Sequence, residues 1–211
     1  MTAPVPPRIV NMPLPGTQSL DLVVIGGSAG AIEVISHMVT QLSNRLGPAI
    51  AVVIHMAQDA RAMLPEILSA SGRPLMKTAE DKEPIAPGTV YFAPPGYHLL
   101  IEEQRTFALS VDEPEHFSRP SIDVLFESAA DAYGPRLAGV VLSGANTDGA
   151  AGLRAIAAAG GVTIVQRPST AEAATMPEAA LQASPHSHLV DAQELAQWLG
   201  SLQRHGASGT S

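Results

Sequence analysis

The run DLVVIGGSAGAIEVISHMVTQL, residues 21–42, decides the fold. Asp21–Ile25 is a short apolar stretch ending in glycines, and Ile32, Ile35, Val39 and Leu42 then recur at helical intervals. A strand that is apolar at successive positions has both faces covered, as in a parallel sheet flanked by helices. The same grammar repeats outward from this run. Ala49–His55 (AIAVVIH) reads as a second buried strand, and Ala60–Ala70 as a helix disturbed by Pro65. Gly139–Gly144 (GVVLSG) reads as a strand, Thr147–Gly160 as a helix ending at a glycine pair, and Gly161–Gln166 as a further strand. MPEAALQAS and DAQELAQWLGSLQ close the chain as helices, Trp198 joining Leu195, Leu199 and Leu202 in the core. Strand-to-strand spacings of about 25–30 residues suit right-handed crossovers. The middle differs: Thr89–Val111 holds β-rich runs broken by Pro-Pro-Gly and Glu-Glu-Gln-Arg, which predicts a hairpin or meander inserted in the sheet or added at its edge. The expected class is α/β: a doubly wound, mainly parallel sheet with helices on both faces and an antiparallel β-hairpin.

The remaining composition fits that reading. The chain has 211 residues, with 12 Lys and Arg against 20 Asp and Glu, a net charge of −8. Hydrophobic residues make up 45% and aromatic residues only 4%, so the core is built from aliphatic side chains. An acidic chain of this kind is no general nucleic-acid binder, which needs a basic face for phosphates. The absence of cysteine excludes disulfide scaffolds, thiol nucleophiles and Cys-ligated zinc. No apolar run reaches the ~18 residues of a membrane span, and the start carries prolines where a signal peptide has an apolar region. A soluble, cytoplasmic protein is expected. Residues 1–19, with five prolines, read as a flexible arm, residues 20–202 as one domain, and residues 203–211 as a loose tail.

In open parallel sheets ligands bind beyond the carboxyl ends of the strands. Ser28 follows the first strand, within Gly26-Gly27-Ser28-Ala29-Gly30; His55 follows the second; Asp148 follows Ser143-Gly144-Ala145-Asn146-Thr147 after a third. Gly26-x-Ser28-x-Gly30 between strand and helix fits a nucleophile elbow. A histidine can take a serine's proton, and an aspartate can orient the ring and stabilise the imidazolium. Each residue also has a plainer reading: Ser28 as a helix cap, His55 as a hydrogen-bonded strand-end residue, Asp148 as a helix-start carboxylate. Phosphate binding is disfavoured, because the glycines lack the GxGxxG pattern and no Gly-Lys-Ser/Thr occurs. His186-Ser187-His188 has metal-like spacing without a carboxylate cluster beside it, and His37 reads as a helix-surface or packing residue. No metal and no cofactor are expected.

Taken together, IGGSAGAIE (25–33), IHM (54–56), IAPGTVYFAPPGYHLLI (85–101), RPSIDVLFESAA (119–130), GVVLSGANTDGAAGL (139–153), AGG (159–161) and MPEAAL (176–181) resemble the catalytic domain of the chemotaxis protein-glutamate methylesterases, the CheB type. The resemblance runs from about Leu22 to Leu199. It implies a Ser28–His55–Asp148 triad, hydrolysis of glutamate γ-methyl esters on the cytoplasmic helices of chemoreceptors with release of methanol, and in many members deamidation of receptor glutamines. It implies oxyanion-binding backbone amides near Ala29 and Ala145, and offers Arg119 as a contact for substrate carboxylates, alongside its plainer role as a surface ion pair. Most members carry an N-terminal receiver domain. Only about 20 residues precede the domain here, so that regulation is expected to be absent or supplied by a separate receiver-domain partner; a methyltransferase is another expected partner. The sequence departs from the family at three places: Ser-Thr-Gly-Gly reads Ser28-Ala29-Gly30-Ala31, Gln-His-Met-Pro reads Ile54-His55-Met56-Ala57, and Thr-Gly-Met-Gly reads Ser143-Gly144-Ala145-Asn146. These departures motivate an alternative, a non-catalytic or weakly active signalling module that docks on receptor or methyltransferase partners.

Overall fold

The computed structural model describes residue 14, residues 20–55 and residues 75–203. The predicted arm, apart from Leu14, the predicted helix at 60–70, Met56-Ala57 and all of the tail but Gln203 lie outside the described residues. Nine strands are described in chain order: β1 Leu22–Gly27, β2 Ala49–Ile54, β3 Leu75–Thr78, β4 Thr89–Phe92, β5 His98–Ile101, β6 Phe107–Ser110, β7 Leu137–Val141, β8 Val162–Gln166 and β9 His188–Val190. Five α-helices are described with them: α1 Ala31–Gln41, α2 Ile122–Tyr133, α3 Ala150–Ala158, α4 Thr175–Ala183 and α5 Ala192–Ser201.

Seven strands form one sheet in the order β3-β4-β2-β1-β7-β8-β9, and every pair is parallel. Strand β1, buried at every position, stands at its centre. Alternate residues of the strands serve opposite layers. Val23, Ile25, Ile50, Val52, Ala138 and Val140 pack with Ile35, Met38 and Val39 of α1 and Leu195, Trp198 and Leu199 of α5. Leu22, Val24, Ala51, Val53, Leu137 and Val141 face α2, α3, α4 and the β5–β6 pair. Each fully buried aliphatic side chain contributes about 1.5–3 kcal/mol on leaving water. In α1 the buried face is Ala31, Val34, Ile35, Met38 and Val39; Ile32 is partly exposed, one step off that stripe, and His37 is exposed.

The middle of the chain corrects the sequence expectation. Thr89–Phe92 is a parallel strand inside the large sheet, between β3 and β2, and only β5 and β6 form the antiparallel hairpin, as a separate two-stranded sheet. The hairpin lies over the sheet: Leu99, Ile101 and Phe107 join the α2-side core, where Phe107 meets Tyr91 edge-on at 4.8 Å between ring centroids.

Candidate active site

The first helix, α1, leaves β1 on one face of the sheet, and α3 leaves the neighbouring β7 on the other. The chain therefore diverges between these two strand ends and opens a crevice, the place where such sheets bind ligands. Ser28 follows β1, His55 follows β2, and Asp148 lies in the turn after β7. Backbone bonds hold the three segments together: the Ser28 amide donates to the Ser143 carbonyl (2.8 Å) and the His55 amide to the Gly27 carbonyl (2.9 Å).

The glycines around Ser28 have reasons the elbow reading does not supply. Ser28 is not among the residues with positive φ, so the serine itself is unstrained. A Cβ on Gly26 would run into the side chain of Ile122, and one on Gly149 would come within 2.8 Å of it. Two glycines thus let Ile122, the first residue of α2, nest against the ends of β1 and β7. Gly30, at φ 77, makes the left-handed turn into α1.

That close approach serves Asp148. Its carboxylate, fully buried, accepts from the Ser121 hydroxyl (2.9 Å) and from the amides of Ile122 (2.7 Å) and Asp123 (2.9 Å), the first free amides of α2. Burial by itself would push this carboxyl up; the contact with His55 and the two helix amides outweigh it and hold Asp148 below the usual carboxylate range. Asp148 is an anion throughout the neutral pH range.

His55 Nε2 lies 2.9 Å from Asp148 Oδ2, close but bent away from a linear hydrogen bond. With Nε2 turned to the carboxylate, Nδ1 is the nitrogen left to accept a proton. It faces Ser118 Oγ at 3.4 Å and Asn146 Nδ2 at 3.5 Å. The Asn146 amide orientation follows from its other end, where Oδ1 accepts from the Asp148 amide (3.2 Å). Ser28 is half-buried, and among the described residues its hydroxyl has no hydrogen bond. The amides of Ala29 and Ala145, at exposed positions on either side of the crevice, likewise donate to nothing among the described residues. Ser143 and Gly144 hold the second of these amides in place. Ser143 Oγ accepts from the Ala173 amide (2.9 Å), while the Gly144 amide donates to the Ala173 carbonyl (3.0 Å) and the Met176 amide to the Gly144 carbonyl (2.9 Å).

A second carboxylate sits behind the first. Asp123 accepts from the Gly152 amide (2.6 Å) and lies 3.3 Å from His116 Nε2. Burial pushes its carboxyl up to about 6, with the neighbouring Asp148 adding to the rise. His116, Asp123 and Asp148 bring ligand atoms within 4.8 Å of one another. Both Asp148 oxygens already accept hydrogen bonds, and Asp123 pairs with His116, so the three side chains form one hydrogen-bonded network. Arg119 Nη1 donates to the carbonyls of Val111 (2.7 Å) and Asp112 (3.0 Å), beside the crevice.

Sequence reasoning picked out Ser28, His55 and Asp148 and missed what holds them: Ser121, the α2 amides, Ser118 and the side chain of Asn146. A helix-capping signal was present, since Ser121 caps α2 through the Val124 amide (3.4 Å), but nothing local says that this helix start faces Asp148.

A hydroxyl, an imidazole and a buried carboxylate thus stand at neighbouring strand ends of one parallel sheet, the residue types that a serine hydrolase uses. The chain belongs to the CheB methylesterase family, whose model matches residues 23–199. It is 43% identical over 177 residues to a relative from Leptospira interrogans, covering 84% of this chain and 92% of the relative. It is 33% identical over 186 residues to the Salmonella typhimurium protein-glutamate methylesterase/protein-glutamine glutaminase, covering 87% of this chain and 53% of that protein. The solved catalytic domain of Thermotoga maritima CheB methylesterase superposes with a TM-score of 0.81 at 28% identity, covering 88% of this chain and all of that one. No described helix is long and apolar enough to cross a membrane.

Proposed function

We propose that this protein is a protein-glutamate methylesterase: a cytoplasmic serine hydrolase that removes methyl esters from glutamate side chains of chemoreceptors, releases methanol, and deamidates particular receptor glutamines. The observation that carries this reading is the pairing of an anchored His55–Asp148 couple with a Ser28 hydroxyl and two amides that have no partner among the described residues at one crevice. Membership of the family, and relatives named for both activities, support it.

His55 Nδ1 takes the Ser28 proton as Oγ attacks the ester carbonyl carbon. Asp148 holds the ring and stabilises the imidazolium that forms. The amides of Ala29 and Ala145 receive the oxyanion; loss of one such donor costs roughly 2.7–4 kcal/mol of barrier. The tetrahedral adduct collapses, methoxide leaves with the proton from Nδ1, and the acyl group stays on Ser28. Water, deprotonated by His55, then cleaves the acyl-enzyme and restores the hydroxyl. In the deamidation, ammonia takes the place of methanol. Met is lost from the turn before Asp148, yet a backbone amide serves the oxyanion equally well from Ala145, so the departure alters bulk and not electrostatics. Arg119, whose guanidinium donates to the Val111 and Asp112 carbonyls, is the proposed contact for a substrate carboxylate, a role its planar fork suits.

The test is methanol release from membranes bearing receptors labelled in the methyl ester, with Ser28→Ala beside the native protein. Release that falls to background in the variant, at unchanged thermal stability, is the expected result. Equal release from both would remove Ser28 from the mechanism.

A further inference from the structure

We propose that Phe117 is the apolar anchor that seats the ester-bearing polypeptide over Ser28, and so selects substrates with an apolar side chain close in sequence to the modified residue. This rests on the methylesterase reading and deepens it. The juxtaposition that carries it is a fully solvent-exposed phenylalanine whose two flanking residues both touch the catalytic cluster.

Residues 115–118 form a tight turn closed by two backbone bonds, Glu115 amide to Ser118 carbonyl (3.2 Å) and Ser118 amide to Glu115 carbonyl (2.7 Å). Its central residues, His116 and Phe117, stand at φ 48 and 61. Turns with two positive φ values take Asn-Gly or similar pairs; a bulky aromatic there is an outlier. Strain of this kind persists only where surrounding structure holds it, and it collects at ligand clamps and active sites. Among the described residues nothing packs on the ring, which touches water all round in a chain with few aromatic residues to spare. The turn is pinned instead to the site. On one side of Phe117, Ser118 Oγ is 3.4 Å from His55 Nδ1. On the other, His116 Nε2 is 3.3 Å from Asp123 Oδ2, and the Asp123 amide donates to Asp148. Phe117 is therefore fixed at the mouth of the crevice.

A glutamyl ester side chain is short, so the backbone carrying it must come down to that mouth when its carbonyl reaches Ser28. An apolar neighbour on the substrate then covers the ring and removes both apolar surfaces from water.

Phe117→Ala and Phe117→Leu would be compared with the native protein on the methyl-labelled receptor membranes, and each would be labelled with a small serine-reactive phosphonate, which reports the state of Ser28 without a polypeptide. Expected is at least a tenfold fall in kcat/KM on receptor for Phe117→Ala, carried mainly by KM, with Phe117→Leu recovering most of it and labelling rates within twofold of native. Receptor turnover unchanged in Phe117→Ala would overturn the proposal. So would labelling that falls in step with turnover, since the turn would then act by shaping the triad, and so would a dimer that Phe117→Ala converts to monomer, since a second copy would be the occupant. Failure of the methylesterase reading is distinct: it shows as Ser28→Ala turning over receptor like the native protein, whatever Phe117 does.

Discussion

Asp148 and Ser28 stand on opposite sides of one crevice, and hydrogen bonding is divided between them unevenly. On the Asp148 side both carboxylate oxygens are engaged, by a hydroxyl and two helix amides, before His55 is counted. On the Ser28 side the hydroxyl and the amides of Ala29 and Ala145 meet no partner among the described residues. The difference separates scaffold from chemistry. The saturated side fixes a charge in place, and the unsaturated side holds the donors that the proposed mechanism gives to the substrate.

The largest expected effect of disturbing this division comes from Asp148→Asn. It keeps the size, removes the charge proposed to stabilise the His55 imidazolium, and turns one acceptor into a donor facing the Ser121 hydroxyl and the α2 amides, so kcat falls by at least roughly 10³–10⁴-fold and the thermal midpoint falls with it. Methanol release within tenfold of native would mean that the buried carboxylate is scaffold only. Gly26→Ala attacks the seam between the two sides. Its Cβ drives into Ile122 and pushes the start of α2 away from Asp148, which lowers stability by about 3 kcal/mol on the scale of an overpacked core. A thermal midpoint equal to native would show that Ile122 can move without cost.

The smallest effect concerns pH. Asp123, raised from its ordinary value near 3.8 to about 6, contributes stability that is full below pH 4 and is lost as pH rises through 6. Asp148, lowered, has the opposite sign: its contribution is present at neutral pH and is lost as pH falls below the usual carboxylate range. Asp123→Asn retains an acceptor for the Gly152 amide and removes the titration, so the variant should gain on the order of 2 kcal/mol over native between pH 4 and pH 7. Parallel stability curves for the two proteins across that range, measured by denaturant unfolding, would show that Asp123 is not the buried acid.

Strands buried on both faces announce themselves, which is why β1, β2, β7 and β8 were legible from continuous apolar runs. The edge strands were not. Lys77 in β3 and the three residues of β9 carry too little apolar pattern, and their strand state comes from pairing with β4 and β8. Thr89–Phe92 looked like part of a hairpin because the next β-rich run follows within a few residues; its parallel pairing to β2 and β3 depends on chain far from it. The site divides likewise. Ser28, His55 and Asp148 stand out as candidates because each lies beyond the end of a legible strand. The anchorage of Asp148 could not, because Ser121 and the α2 amides reach it across 25 residues or more of sequence.

The position of β1 has a consequence for how the site is lost. Three strands flank it on each side, and no residue of it reaches water. Fraying at β3 or β9 leaves Ser28 where it is. Amide protons of β1 should then exchange only through complete unfolding, so that no partly opened form of the protein loses the strand leading to Ser28 while keeping the sheet. With Ser28 as the proposed nucleophile, inactivation and denaturation on its side of the crevice are expected to coincide.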